Sequence, residues 1–561
     1  MKKIIYAVFF SILFLNTSAQ FIYQWANAAG SSGAEYGQAV ATDASGNVYV
    51  AGVFTGTIDF STSTPAYTLT TQGSKDIFLA KYNPSGNLVY AKNMGGTNDD
   101  VPLDIYVNAN AVYIVGKFIG TCDFDPNLNI KFLTSNGGGT DGDGFCAKYD
   151  LDGNYQWAFQ IGGIGNDRIE AITGDTTGDI IIAGFFNNTA NFNPNGTVNL
   201  TSSGNGFFAK YTSAGAYVFV KQLTGNYGDP GDIKLDASGN IYLAGGFSET
   251  VDFDPSGSSA TMTTSGVVQI DGFFAKYTSS GSYIWAKRIG GNGVDLLTQI
   301  AITPNYIFVG GEFSTTCDVD PATPGTVNLI SKGAGDFFFG RYDLNGIYQF
   351  AYGIGGVADN DYLNGLAIDA NDNILITGKF TGTNVNFSTT GGSFVTLFSG
   401  SNTGYIAQYA ADGHYVNANS LGNAGSEGKG IVVTSSSVYY TGSFQGTVDF
   451  DFSSVGTANL ISKGSNDIFV SKLNYSGITG VLSNQNEHQF LVYPNPSNGV
   501  FSIKSETDKL EVMNSLGQTV YQTIKQTTDV LSVDLSNQPA GIYFIKINVG
   551  DKFVQQKIII Q

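Results

Sequence analysis

The chain has 561 residues, room for two or three domains, with only 13% charged and 13% aromatic side chains. Its 73 glycines, beside 31 Tyr and 40 Phe, fit many short strands joined by turns and argue against a helical architecture; no amphipathic helical period stands out after residue 20. Residues 20–489 carry 19 basic and 40 acidic side chains, a net charge of −21 that disfavours nucleic acid and anionic lipid as partners and tolerates cations or neutral partners such as glycans.

The N-terminus reads as a signal peptide over residues 1–19. Lys2 and Lys3 precede an apolar run, Ile4 to Leu15, too short to span a bilayer comfortably, and Thr17-Ser18-Ala19 supplies small residues for cleavage between Ala19 and Gln20. Export by way of the periplasm is expected. The residue after cleavage is not Cys, so no lipoprotein anchor is indicated, and no later apolar run is long enough for a transmembrane helix.

From residue 21 a phrase repeats. It reads Asp76-Ile-Phe-Leu-Ala-Lys-Tyr82, then ends again at Tyr149, Tyr211, Tyr277, Tyr342, Tyr409 and Leu473, seven copies spaced by 62 to 67 residues. Each period holds a short strand, a Gly-Asn turn, a strand such as Asn47 to Phe54, an Asp-Phe-Asp-Pro-like corner, a Thr-rich strand, the Phe-Ala-Lys-Tyr strand and a last strand ending in Gly-Gly. Four antiparallel strands in such a period make one blade of a propeller. The last strand has a copy near residues 22–29, before any Phe-Ala-Lys-Tyr strand, and none after residue 473. The spacing therefore predicts a seven-bladed β-propeller over 20–478, closed by the N-terminal strand, which removes the exposed edges of an open array.

The three cysteines fall in apolar columns of this repeat. Cys146 aligns with Leu79, Phe208, Phe274, Phe339, Ile406 and Val470; Cys122 and Cys317 align with Ile58, Ala190, Val251, Val385 and Val448. They read as buried free thiols, not as a disulfide or metal site.

Residues 479–489 are polar and read as a linker. Over 490–561, Val492-Tyr-Pro-Asn-Pro-Ser-Asn-Gly499, Leu510 to Gly517, Pro539-Ala-Gly-Ile-Tyr543 and Lys557 to Ile560 mark alternating strands of a small β-sandwich of immunoglobulin-like type. The fold class is thus all-β throughout.

Two resemblances follow from these residues. The Ser45-Gly-Asn-Val-Tyr-Val-Ala-Gly52 segments, Gly-Gly ends and Phe-Ala-Lys-Tyr strands resemble the seven-bladed propeller repeat (SBBP) family of exported bacterial proteins, over about residues 21–478. The Tyr-Pro-Asn-Pro, Leu-Gly and Ala-Gly-Ile-Tyr motifs resemble the type A sorting domain of the type IX secretion system of Bacteroidota. The second resemblance implies contact with that secretion machinery, passage through the outer membrane, removal of the domain, and release or attachment at the cell surface.

Chemistry is sparse. The two histidines, His414 in a turn and His488 in the linker, have no partner in sequence, and phosphate-loop, dinucleotide and zincin motifs are absent. Asp150-Leu-Asp-Gly-Asn154 falls short of a calcium loop and matches ordinary hairpin turns elsewhere. Two acidic columns remain. At the corner, the pairs Asp123 and Asp125, Asp252 and Asp254, and Asp318 and Asp320 lie two apart in extended chain and share a face, with an apolar residue pointing inward between them. They offer oxygen ligands for Ca2+, or they close their own turns. After the Gly-Gly, the column Glu35, Asp99, Asp167, Asp229, Asp295, Asp361 and Glu427 precedes the first strand of each blade. It forms an acidic ring near the channel, or each member caps its own loop.

Columns repeated in every blade favour structure over catalysis. The expectation is a monomeric, non-enzymatic surface protein with no required cofactor, binding a glycan or extracellular protein, as in adhesion. The alternatives are a secreted hydrolase using carboxylates on polysaccharide and a structural surface protein without a ligand. Glycan binding predicts exposed aromatics clustered on one face.

Overall fold

The computed structural model describes residues 21–475 and 491–560, apart from short interruptions of which the longest is 390–395. The signal peptide, its Ala19–Gln20 cleavage point and the 479–489 linker lie outside the described residues. Every regular element described is a strand, and the chain divides into a unit ending at Ile478 and a second beginning at Thr479.

In the first unit, antiparallel pairing sets 28 of the 37 described strands in seven groups of four, here called sheets, while nine short strands such as Thr121–Asp123 and Phe132–Thr134 lie outside these groups. Sheet 1 runs Tyr36–Thr42, Val48–Asp59, Thr68–Tyr82, Leu88–Gly96 from its inner to its outer strand. Sheets 2 to 6 repeat this order, with inner strands Asp100–Val107, Arg168–Gly174, Thr224–Leu235, Asp295–Ile302 and Tyr362–Ile368. Sheet 7 takes Glu427–Val433, Ser437–Phe444 and Asp467–Tyr475 from the end of the unit and its outer strand, Phe21–Ala29, from the beginning. Each inner strand packs against the next, and that of sheet 7 against that of sheet 1, so the inner strands form a closed cycle.

The repeated phrases are the joints of this ring. Apolar residues alternate onto both faces and interlock between sheets: Tyr49 and Leu79 of sheet 1 share a core with Val112 and Phe145 of sheet 2. Burying each such side chain contributes about 1.5–3 kcal/mol. The Tyr that ends the third strand is buried and pins the corner residue of its own repeat. Its hydroxyl donates to the carbonyl of that residue, Tyr149 to Phe124 at 3.0 Å, Tyr211 to Phe192 at 2.7 Å and Tyr277 to Phe253 at 2.9 Å. In four sheets the Lys or Arg before this position reaches a turn of the following sheet, for example Lys81 Nζ to Leu151 O at 2.8 Å and Lys148 Nζ to Ser213 O at 2.7 Å, whereas Lys210 and Lys276 pair with Asp175 and Asp236 of their own sheets. The Gly-Gly receives the corner of the next repeat: Gly95 pairs with Asp123 and Gly96 with Cys122. A Cβ on Gly96 would stand 1.9 Å from Thr121 O, so this close approach demands glycine. Cys122, Cys146 and Cys317 are free and buried.

The second unit has a three-stranded sheet, Leu491–Tyr493, Val500–Lys504 and Leu531–Asp534, and a four-stranded sheet of Thr519–Gln526, Thr507–Asn514, Gly541–Val549 and Lys552–Ile560. They share one core that includes Phe501, Val512, Val533, Ile545 and Ile558. Tyr543 donates its hydroxyl to Pro539 O at 2.7 Å, which ties the Pro-Ala-Gly-Ile-Tyr motif into a closed turn.

Candidate functional site: the central channel

All the inner strands carry a β-bulge at the same register, for example between Gly37 and Ala39 and between Pro102 and Asp104. The extra residue at each bulge is Gln38, Leu103, Glu170, Gly231, Thr298, Asn364 or Lys429 in turn. A bulge re-aims a side chain out of the ladder. Here the inner strands enclose a cavity of about 400 Å³ lined by residues from every sheet. Neighbouring sheets are stitched at this level. Ile172 N–H donates to Asp104 Oδ2 and Ile300 N–H to Asp232 Oδ2, both at 2.9 Å, while Asn364 Nδ2 donates to Gly428 O at 2.8 Å.

Charge lines the ring unevenly. Arg168 bridges Glu170 and Asp229, whose other neighbour, Tyr227, donates its hydroxyl at 3.0 Å. Burial raises both carboxyls above the usual range, against the pull of the guanidinium. Lys234 pairs with Asp232. Burial lifts Asp104 to about 6, with Lys234 acting against it. Glu427 accepts from Lys429 at 2.8 Å and Asn364 at 2.9 Å and lies 3.5 Å from Lys379. Burial would raise it, yet the two lysines hold it low. Glu312, facing the same lysines, is lifted by burial to about 7. The channel wall thus mixes polar side chains, among them Gln38, Asp104, Glu170, Asp232, Lys234 and Lys429, with aliphatic ones such as Leu103, Ile172 and Ile431, and the remaining charges pair beside it.

The expected acidic ring is not one ring. Strand pairing places Glu35, Asp100, Asp167, Gly228, Asp295, Asp361 and Ser426 at equivalent positions; Asp99, Asp229 and Glu427 are one residue off. One residue of shift turns a side chain to the other face. Asp99 is half-exposed beside Lys75 at 3.6 Å, and Asp229 and Glu427 join the ion pairs above. The in-register acids Glu35, Asp167, Asp295 and Asp361 are buried and accept backbone N–H groups. Asp167 takes those of Gly163 and Asn187, each at 2.8 Å, and so ties the outer strand of sheet 2 to the second strand of sheet 3. These four cap loops and do not line a channel.

In the corner column the carboxylates close turns. Asp123 Oδ1 accepts N–H from Asp125 and Lys131, and Asp125 Oδ1 accepts from Asn127. Asp252 holds Asp254 and Ala260, and Asp254 holds Ser256. Asp318 holds Asp320 and Val327, and Asp320 holds Ala322. The Oδ1 of each carboxylate closes its own Asx turn, and among the described residues no group of three or more metal-ligating side chains gathers. The residues between them, Phe124, Phe253 and Val319, are fully buried, as the alternation requires. Residues the sequence reading missed are the charged groups at and beside the channel, Arg168, Glu170, Asp232, Lys234, Lys379 and Lys429, which lie in four different repeats and show no common spacing. It also missed a role for the Asp that opens the third-strand phrase.

Comparison with known proteins separates the two units. Residues 491–561 match the secretion system C-terminal sorting domain family. The C-terminal unit is a type IX secretion sorting domain. The chain that carries it is a secreted protein addressed to the outer-membrane surface, and among the described residues no helix is long and apolar enough to cross a membrane. Beyond that domain the likenesses are distant. A WD repeat-containing protein, L264, of Acanthamoeba polyphaga mimivirus is 25% identical over 348 residues, 52% of this chain and 25% of that one. The ulvan lyase NLR42 of Nonlabens ulvanivorans is 29% identical over 125 residues, 20% of this chain and 23% of that one. The chain thus spans about a quarter of the length of these relatives. Among solved structures, the phage phi92 endosialidase aligns over 97% of this chain and 87% of its own at 9% identity and a TM-score of 0.34, too low to carry an argument.

Proposed function

We propose that this secreted protein is a non-enzymatic, seven-bladed β-propeller that binds a polar extracellular polymer at its central channel. One observation carries this reading. The bulge column holds Gln, Leu, Glu, Gly, Thr, Asn and Lys, a different residue in every sheet, while the corner and third-strand columns around it barely vary. A position freed from the repeat at the one place where all sheets converge is where specificity is built. Tyr67 and Phe132 are the aromatics among the strongly exposed large apolar side chains described, which favours hydrogen bonding over sugar stacking.

A hydrolase is the second reading. It draws on Glu170 and Asp229, two part-buried carboxyls flanking Arg168, and on the short likeness to the ulvan lyase NLR42. One experiment separates the two. The exported chain is screened against extracellular polysaccharides and proteins, with turnover read on the same samples, in Ca2+ and in EDTA. Binding without turnover, abolished by Gln38→Trp filling the channel, is the expected result. Turnover lost in Glu170→Gln establishes the hydrolase, and binding that survives Gln38→Trp moves the site off the channel.

A further inference from the structure

The repeated third-strand phrase opens with a buried Asp in five sheets: Asp76, Asp143, Asp271, Asp336 and Asp467, each at most 1% exposed. In each, Oδ2 accepts a backbone N–H, from Gln72, Asn136, Ser265, Lys332 and Lys463 respectively, at 2.8 to 3.2 Å. In each, Oδ1 is buried with no hydrogen-bond partner among the described residues. A buried acceptor without a donor is costly, and the same oxygen is left so five times.

A second buried carboxyl from the next sheet shares each site: Asp100, Asp167, Asp295, Asp361 and, for Asp467, Glu35. Both lie against the same two residues. The first carboxyl fills the place of a Cβ on Gly95, Gly162, Gly290, Gly355 or Gly30, its Cγ 2.0 to 2.4 Å from that point. The second takes the N–H of the following residue, Gly163 at 2.8 Å, Gly291 at 2.7 Å, Gly356 at 2.9 Å and Ser31 at 3.1 Å. In the two remaining sheets the paired positions are Asn205 with Gly228 and Thr403 with Ser426. The carboxyls are present together or absent together, never single.

Few charges offset them. At Asp76 and Asp100 the facing groups are Asn93 and the Cys122 thiol, and Lys75 is engaged at the surface by Asp99. Lys117 and Asp141 face Asp167; Arg288 bonds Asp271 Oδ2, and the Cys317 thiol meets Asp295; Lys332 faces Asp336 and Asp361; Lys463 faces Asp467.

We propose that these five junctions are proton clasps, each keeping one of its two carboxyls protonated well above the pH at which a free carboxyl ionises, so that the ring is tightest in acid and loosens as the pH rises through neutrality. The electrostatics agree. Burial first, and the partner's charge second or later, lift Asp100 to about 8, Asp143 and Asp295 to about 7 and Asp361 to about 6; burial alone raises Asp76 to about 6. Such groups give their full stabilisation below the unfolded carboxyl range, near pH 4, and lose it as pH rises through about 6 to 8. Asp104 and Glu312 at the channel also titrate in that window, so the Asn variants, and not the slope alone, single out the clasps.

The test is the urea midpoint of the full exported chain at about pH 5.5 and about pH 8.5, at fixed salt, with the infrared carbonyl band of protonated carboxyls read at neutral pH. The midpoint should fall towards alkali. Asp76→Asn supplies an amide donor in place of the acid proton and should flatten the fall, and adding Asp143→Asn and Asp336→Asn should flatten it stepwise further. His414→Gln should leave the slope unchanged. A pH-independent midpoint, a slope untouched by the Asn variants, or a native chain with no protonated-carboxyl band at neutral pH overturns the proposal, and the last reading stands even if the variants fold poorly.

Discussion

Lys472 donates its Nζ to the carbonyl of Pro84 across 3.3 Å, joining the third strand of sheet 7 to the outer turn of sheet 1. The Trp25 indole donates to the same carbonyl at 3.1 Å, and Ser471 Oγ donates to Trp25 O at 3.3 Å. The lysine reach used at other joints therefore also spans the seam where the two ends of the unit meet, with the outer strand of sheet 7 beneath it.

Deleting residues 21–30 should open that seam. The deletion bares the edge of Asp467–Tyr475 and removes Phe21 and Ala29 from the core. A lower melting temperature and faster proteolysis are expected. An unchanged melt would show that the ring holds without its closing strand.

Gly290→Ala should destabilise by about 1–3 kcal/mol, because a Cβ there falls 2.4 Å from the Asp271 Cγ. Asp271→Ala alone should also be costly, but combining the two should cost less than their sum. Denaturant titration of the double-mutant cycle checks this coupling.

Tyr277→Phe should cost about 1–2 kcal/mol by leaving the buried Phe253 carbonyl without its 2.9 Å donor. The urea midpoint measures it, with binding unaffected because the residue lies away from the channel.

Arg168→Met should cost about 1–3 kcal/mol at neutral pH, since the part-buried Glu170 and Asp229 lose their shared cation. Both carboxyls already sit above their usual range, so acid should neutralise them and restore much of the loss. A deficit that deepens in acid would refute this account.

Thiol reagents should leave the native chain unmodified. Burial raises the thiols of Cys122, Cys146 and Cys317 above their ordinary range, and each should react only after unfolding. Labelling followed by mass measurement, native against unfolded, checks it.

Most of the scaffold was legible because its determinants are local and repeated. Alternation at the Asp-Phe-Asp corner put Phe124 inside, and the phase of the repeat put a spare strand at residues 22–29 and a vacant edge at 473, which are hydrogen-bonded neighbours here. The acidic column was legible in kind but not in register. Asp99 and Asp100 are adjacent acids, and only strand pairing tells that Asp100 is the buried one. Arg168 and Asp229 meet only because sheets 3 and 4 lie side by side, 61 residues apart in sequence, and no period encodes that contact.

The pairing of Phe21 with Tyr475 also sets an order in time. Sheets 1 to 6 can form from neighbouring stretches of chain as these emerge, but the first strand made must wait for the last one before it has a partner. Contacts of such long sequence separation form slowly. Until then the nascent ring exposes two free strand edges, which makes that interval the one in which a chaperone, or a second copy of the chain, competes for the seam.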